Sequence, residues 1–173
     1  MAINLPEEIK KKLIEWQKIH RNFKVRWTKK DSFHITLYFI GDVDEEKIEN
    51  IKLLLKAMAD NCKPFDIYLN EITVGPDERR PRMIWVNGPI TKEILNLHKN
   101  LAGAIKKAGR AEMKPFKNHI TLARSALGKR IKPFREEINL KFQVNSFELM
   151  ESKLLPEGSE YKMIESFKLG EPS

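Results

Sequence analysis

Apolar residues recur at two different periods along this chain, and each change of period marks the edge of an element. Ile9, Leu13 and Trp16 repeat at helical spacing behind Pro6, while Glu7 and Glu8 suit the positive end of a helix dipole, so residues 6 to 20 are predicted helical. His20 falls at the end of that helix and is read as a solvated or capping residue. Phe23 to Trp27 alternates as a short strand, and Thr28 to Ser32 forms a polar turn. In Phe33-His34-Ile35-Thr36-Leu37-Tyr38-Phe39 the alternation is sustained. A strand sends successive side chains to opposite faces, so Phe33, Ile35, Leu37 and Phe39 are expected in a core, and His34, Thr36 and Tyr38 in a cleft.

Asp44 caps a second helix that ends near Asn61 and turns Ile48, Ile51, Leu54, Leu55 and Met58 inward. Strands over 65–74 and 82–87 follow, separated by the irregular Gly75-Pro76-Asp77-Glu78-Arg79-Arg80-Pro81. After Asn87-Gly88-Pro89, Thr91 caps a third helix with Ile94, Leu97, Leu101 and Ile105 inward and Gly109 as its stop; His98 beside that stripe reads as a surface or packing residue. A short helix is expected near 133–137. Two strands, 141–150 and 161–169, close the chain around the turn Leu155-Pro156-Glu157-Gly158-Ser159.

The tetrapeptide His34-Ile35-Thr36-Leu37 returns letter for letter as His119-Ile120-Thr121-Leu122, 85 residues further on (119 minus 34), and it holds two of the four histidines. Each copy sits in the same succession of helix, His-Xaa-Thr strand, helix, strand, strand. The expected fold is therefore a duplicated α+β unit, with two half-sheets facing each other and helices outside. Residues 1–173 form a single domain of two lobes, with the repeat boundary near 87–90. Strand order is left open, including exchange of a strand between lobes.

Composition narrows the possible partners. With 32 Lys and Arg against 24 Asp and Glu, the 173-residue chain carries a formal +8, which suits nucleic acid or nucleotides. Cys62, the only cysteine, rules out an internal disulfide and a multi-thiolate zinc site. Met1 to Glu8 contain no basic segment leading into an apolar run, and no stretch reaches the about 18 apolar residues of a membrane span. The chain is expected to be cytoplasmic, monomeric and free of membrane partners.

If the two motif strands face each other, His34 and Thr36 stand on one wall of a cleft and His119 and Thr121 on the other. Histidine and threonine are then about 7 Å apart along each strand, the span from a reacting oxygen to the equatorial oxygens of a phosphate. Threonine hydroxyls donate to such oxygens without ionising. A neutral imidazole takes a proton from the nucleophile and a protonated one gives a proton to the leaving oxygen, each role being worth ~10²–10⁴ in rate. A 2′,3′-cyclic phosphate suits this division, because its ring is strained and its leaving group stays attached. Arg26, Arg79, Arg80, Arg82 and Arg124 are candidates for RNA phosphates, and Tyr38 for a base. Arg124 is five residues beyond His119, so an unbroken strand would turn it away; to reach the phosphate, the strand must end or bulge near Ala123.

The paired motifs resemble the two-histidine phosphoesterase superfamily, and within it the RNA 2′,3′-cyclic phosphodiesterase branch, historically called 2′-5′ RNA ligases. The similarity extends through Arg26-Trp27, Pro81 to Val86, Ala123-Arg124, Phe147 to Ser152 and the closing Gly158-Ser159-Glu160-Tyr161. It implies a bilobed, pseudo-twofold α+β fold around a central cleft and hydrolysis of a cyclic phosphate to a 2′-phosphomonoester, with no metal and no cofactor. It also implies that His34 protonates the departing 3′ oxygen, that His119 activates water, and that Thr36, Thr121 and Arg124 hold the phosphate. Two departures stand out: the first strand is short, which weakens a sheet edge, and Asn118 occupies a place where relatives often have proline. Ligation to a 5′-hydroxyl by the reverse reaction, and an RNA-binding module without activity, are the alternative readings.

Overall fold

A computed structural model describes residues 1–77, 79–107, 115–126, 130–155 and 158–170. The chain runs β1 (Ala2–Asn4), α1 (Glu7–Ile19), β2 (Val25–Trp27), a 3-10 turn (Lys30–Ser32), β3 (His34–Thr36), α2 (Glu45–Asp60), β4 (Phe65–Gly75) and β5 (Met83–Asn87). It continues with α3 (Lys92–Lys107), β6 (His119–Ser125), β7 (Arg135–Val144), β8 (Ser146–Leu155) and β9 (Gly158–Lys168). Gly109 lies outside the described residues, as do Glu78, Pro156 and Glu157.

The strands form two antiparallel sheets, ordered β3-β1-β8-β9 and β2-β6-β5-β4-β7, so each sheet holds one motif strand. The sheets are not the two halves of the chain on either side of 87–90. Both β4 and β5 precede that point but share a sheet with β6, while β8 and β9 follow it and share a sheet with β3. Asn145 makes the crossing, because β7 ends in one sheet at Val144 and β8 begins in the other at Ser146. The expected single strand over 141–150 is thus two strands. The short helix expected near 133–137 is not formed, and Arg135 starts β7 instead. Leu140, Phe142 and Val144 recur at period two and are buried, and pairing of Arg135, Glu136 and Glu137 with β4 extends that strand backwards over residues with good helix propensity.

One contiguous apolar core runs through both sheets and all three helices. Phe33 and Ile35 hold the back of β3 to it, and Ile120 and Leu122 the back of β6; each such burial contributes about 1.5–3 kcal/mol. On α2 the buried stripe is Ile51, Leu55 and Ala59, with Leu54 turned outward at 37% exposure. The Thr91 hydroxyl accepts from Ile94 N at the start of α3, as a capping threonine does. His20 closes α1, its Nδ1–H donating to Trp16 O at 2.9 Å.

The first motif strand ends sooner than its alternation suggests. Leu37 N and Tyr38 N both donate to Met1 O, at 2.9 and 3.2 Å, and two successive N–H groups on one carbonyl are the mark of a β-bulge. The bulge resets the alternation, so Tyr38 points inward at 5% exposure and Phe39 outward at 73%, the reverse of the expected faces. Although only three residues long, β1 is not an edge, because it lies between β3 and β8. Buried Glu148 accepts Asn4 N at 2.9 Å and the Ser146 hydroxyl at 2.8 Å, which ties β1 to β8 directly opposite the position where Asn4 pairs with His34.

Candidate active site

A second bulge aims the other wall. Against β5, Thr121 pairs with Trp85 and Ala123 with Ile84, so Leu122 is the extra residue on β6. Leu122 and Ala123 are both fully buried, and the inserted residue returns Arg124 to the face of His119 and Thr121. The bulge required near Ala123 therefore falls one residue earlier.

The motif strands β3 and β6 lie against each other between the sheets, and their outward faces meet in one cleft of about 510 Å³. His34, Thr36, His119, Thr121 and Arg124 all line it, and so does Arg26, which stands beside Arg124 in the β2–β6 register. Tyr38 does not: the bulge buries it, with its ring 6.3 Å from that of His98. Arg82 is exposed and lies outside the lining, while its backbone joins Gly75 and Ser125.

The two imidazoles are held alike. His34 Nδ1 meets Ser32 O at 2.8 Å and His119 Nδ1 meets Lys117 O at 3.0 Å, each the carbonyl two residues back. A carbonyl only accepts, so Nδ1 carries the proton in both rings and Nε2 is left as the nitrogen that can take or give one. His34 Nε2 lies 3.1 Å from Thr36 Oγ1 and, in the neutral ring, accepts its hydroxyl proton. An aromatic side chain also backs each imidazole: Tyr161 edge-on to His34 at 4.4 Å and Trp85 tilted on His119 at 4.1 Å. Trp85 lies over Gly75, where a Cβ would stand 2.6 Å from Trp85 Cε3, so only glycine leaves the indole this seat.

Burial pushes the His34 imidazole down from its ordinary 6.5 to about 4; His119 and Arg124 add to the depression, and the Ser32 carbonyl opposes it. His119 is lowered too, again first by burial, with the Lys117 carbonyl opposing and the charges of Lys117 and Arg124 assisting. Both rings are therefore neutral at pH 7. The Arg124 guanidinium is steadied by Met83 Sδ at 3.4 Å. Among the described residues, no three His, Cys, Asp or Glu side chains converge as a metal site requires, and no helix is long and apolar enough to cross a membrane.

Trp85 and Tyr161 received no role from the sequence. One signal for Trp85 was present: in a strand over 82–87, Met83 and Trp85 share a face opposite Ile84 and Val86. Tyr161 was marked only as the end of the Gly158-Ser159-Glu160-Tyr161 stretch of the family resemblance, and its place beside His34 depends on β9 joining the sheet of β3.

Two facing sheets that each contribute a His-Xaa-Thr strand to one basic cleft define a two-histidine phosphoesterase. Residues 3–85 match the LigT-like phosphoesterase family. The chain is 32% identical over 178 residues to the RNA 2′,3′-cyclic phosphodiesterase of Thermus thermophilus, covering 97% of this chain and 88% of that protein. Its fold superimposes on a crystal structure from Thermus thermophilus with a TM-score of 0.88 at 28% identity, covering 99% of this chain and 97% of that one. On E. coli LigT complexed with 3′-AMP the TM-score is 0.78 at 27% identity, covering 97% and 95% of the two chains. The chain belongs to the LigT-like phosphoesterase family.

Proposed function

We propose that this protein hydrolyses 2′,3′-cyclic phosphates at RNA ends to 2′-phosphomonoesters by two-histidine acid–base catalysis. The observation that carries this reading is the matched pair of imidazoles in one cleft, each locked with Nδ1–H on a carbonyl and Nε2 left to work. Water attacks phosphorus opposite O3′ and yields its proton to Nε2 of His119. The P–O3′ bond breaks, and O3′ takes the proton from Nε2 of His34. Water later removes the proton held by His119 and resupplies His34. Thr121 and Arg124 bind the equatorial oxygens, where negative charge stays concentrated through the reaction.

Thr36 couples binding to protonation. While His34 is neutral, its Nε2 holds the Thr36 hydroxyl proton. Once His34 is protonated, Nε2 can no longer accept, so the Thr36 hydroxyl is released to donate to the phosphate and Nε2–H is left to serve O3′. Thr36 thus offers its proton to the anion when the acid is charged. The names of the relatives support the reaction type, and the complex of E. coli LigT with 3′-AMP supports a nucleotide phosphate in the cleft. All the groups invoked come from one chain, so a monomer suffices.

The test is incubation with an oligoribonucleotide ending in a 2′,3′-cyclic phosphate, resolving the 2′- from the 3′-phosphate. A 2′-phosphate is expected, with or without a 5′-hydroxyl acceptor RNA. A 3′-phosphate, or a joined product as the main one, would overturn the assignment. No step requires a metal, so turnover measured after dialysis against EDTA is expected to be unchanged.

A further inference from the structure

Two buried polar side chains outside the cleft grip the same point in the two motifs. Gln17 of α1, 7% exposed, donates from Nε2 to Leu122 O at 2.9 Å and to Thr28 O at 3.1 Å. His98 of α3, 5% exposed, donates from Nδ1 to Leu37 O at 2.8 Å. Leu37 and Leu122 are the fourth residues of the two His-Ile-Thr-Leu copies, and each lies at the bulge that ends its motif's regular alternation.

The arrangement is reciprocal. Helix α1 precedes the first motif in the chain and grips the second; α3 precedes the second and grips the end of the first. Gln17 and His98 are 81 residues apart (98 minus 17), four short of the 85 between the two leucines, so His98 stands about one helical turn before the repeat counterpart of Gln17, and the two correspond in the carbonyl they grip. Neither side chain lines the cleft. Apolar packing behind a strand is non-directional and leaves the pitch of a bulge loosely set, whereas a buried hydrogen bond to its carbonyl is directional and expensive to leave unmade.

We propose that Gln17 and His98 are equivalent positioning residues, each fixing one motif bulge and through it the groups that bulge aims into the cleft. Gln17 sets Thr121 and Arg124 on one wall, together with Thr28, and His98 sets His34 and Thr36 on the other. The proposal rests on the cleft being the site of cyclic phosphate hydrolysis.

The experiment measures kcat/KM on a cyclic-phosphate-ended oligoribonucleotide, the Kd for inorganic phosphate and the melting temperature, with activity read well below the melting point of every variant. Gln17→Met removes the donor at nearly constant shape, Gln17→Glu places an acceptor against two carbonyls, and His98→Leu removes the other donor. All three are expected to lower kcat/KM about 10- to 100-fold while folded, the scale of a small misplacement of catalytic groups. Gln17→Met also weakens phosphate binding, but adds little in an Arg124→Ala background, whereas His98→Leu retains its effect there. His98→Gln, which supplies the amide donor used on the opposite wall, restores most of the activity.

Wild-type kcat/KM in folded Gln17→Met and His98→Leu proteins, with only the melting temperature lowered, would overturn the proposal, as would an undiminished Gln17→Met effect in Arg124→Ala. A wild-type protein that binds phosphate without turnover would sink the hydrolytic reading and leave the positioning test to phosphate affinity. One that does neither would sink both.

Discussion

At the scale of the residue, the site is governed by which nitrogen of each imidazole holds a proton and at what pH. The Ser32 and Lys117 carbonyls fix the tautomer of His34 and His119, while burial makes a second proton unfavourable on both rings. On the proposed mechanism, acid catalysis by His34 depends on the substrate: an anion between the rings would favour imidazolium and lift the pKa on binding. Since kcat/KM reports the free enzyme, its bell is expected on the acid side of 6.5 and falling by neutrality, while the bell for kcat, which reports the bound state, lies higher. Superimposable profiles centred above pH 7 would contradict this assignment. The motif residues were legible in the sequence because the repeat names them and strand parity gives them a face. Tyr38 was misplaced because two hydrogen bonds to Met1, distant in the chain, reverse that parity.

At the scale of the element, bulges aim the side chains that line the cleft. The bulge at Leu122 could be inferred, because Arg124 reaches the phosphate only if β6 gains a residue. The bulge after Thr36 left no such mark, as no residue beyond it was required to face the cleft. Trp85 shows the same dependence on partners: its seat is set by Gly75 on the neighbouring strand β4. Gly75→Ala is expected to press the indole towards His119 and lower kcat by about tenfold, roughly 1.4 kcal/mol of barrier. Comparing the kinetics with near-ultraviolet circular dichroism of the indole checks this. An unchanged kcat would show that the Trp85 seat does not position His119. The helix expected near 133–137 gave way to β7 because local propensity there is weaker than pairing with β4 from Phe65 to Thr73.

At the scale of the molecule, two sheets face each other across a basic cleft, and their strands are drawn from both halves of the chain. The α+β class and the opposed motif strands could be read from alternation and repetition. The strand order could not, because it depends on pairings such as β1 with β8 and on the crossing at Asn145, where no residue marks the change of sheet. The formal +8 acts at this scale as well. KM for an oligoribonucleotide is expected to rise more steeply with salt than KM for a cyclic mononucleotide, since only the longer substrate has further phosphates for the basic surface to neutralise. Equal slopes would confine the electrostatics to the reactive phosphate. The central claim is most directly tested by single-turnover hydrolysis of a cyclic-phosphate RNA by folded His34→Ala and His119→Ala proteins beside the wild type. Each substitution is expected to slow the chemical step by ~10²–10⁴; wild-type turnover in either variant would contradict the two-histidine mechanism.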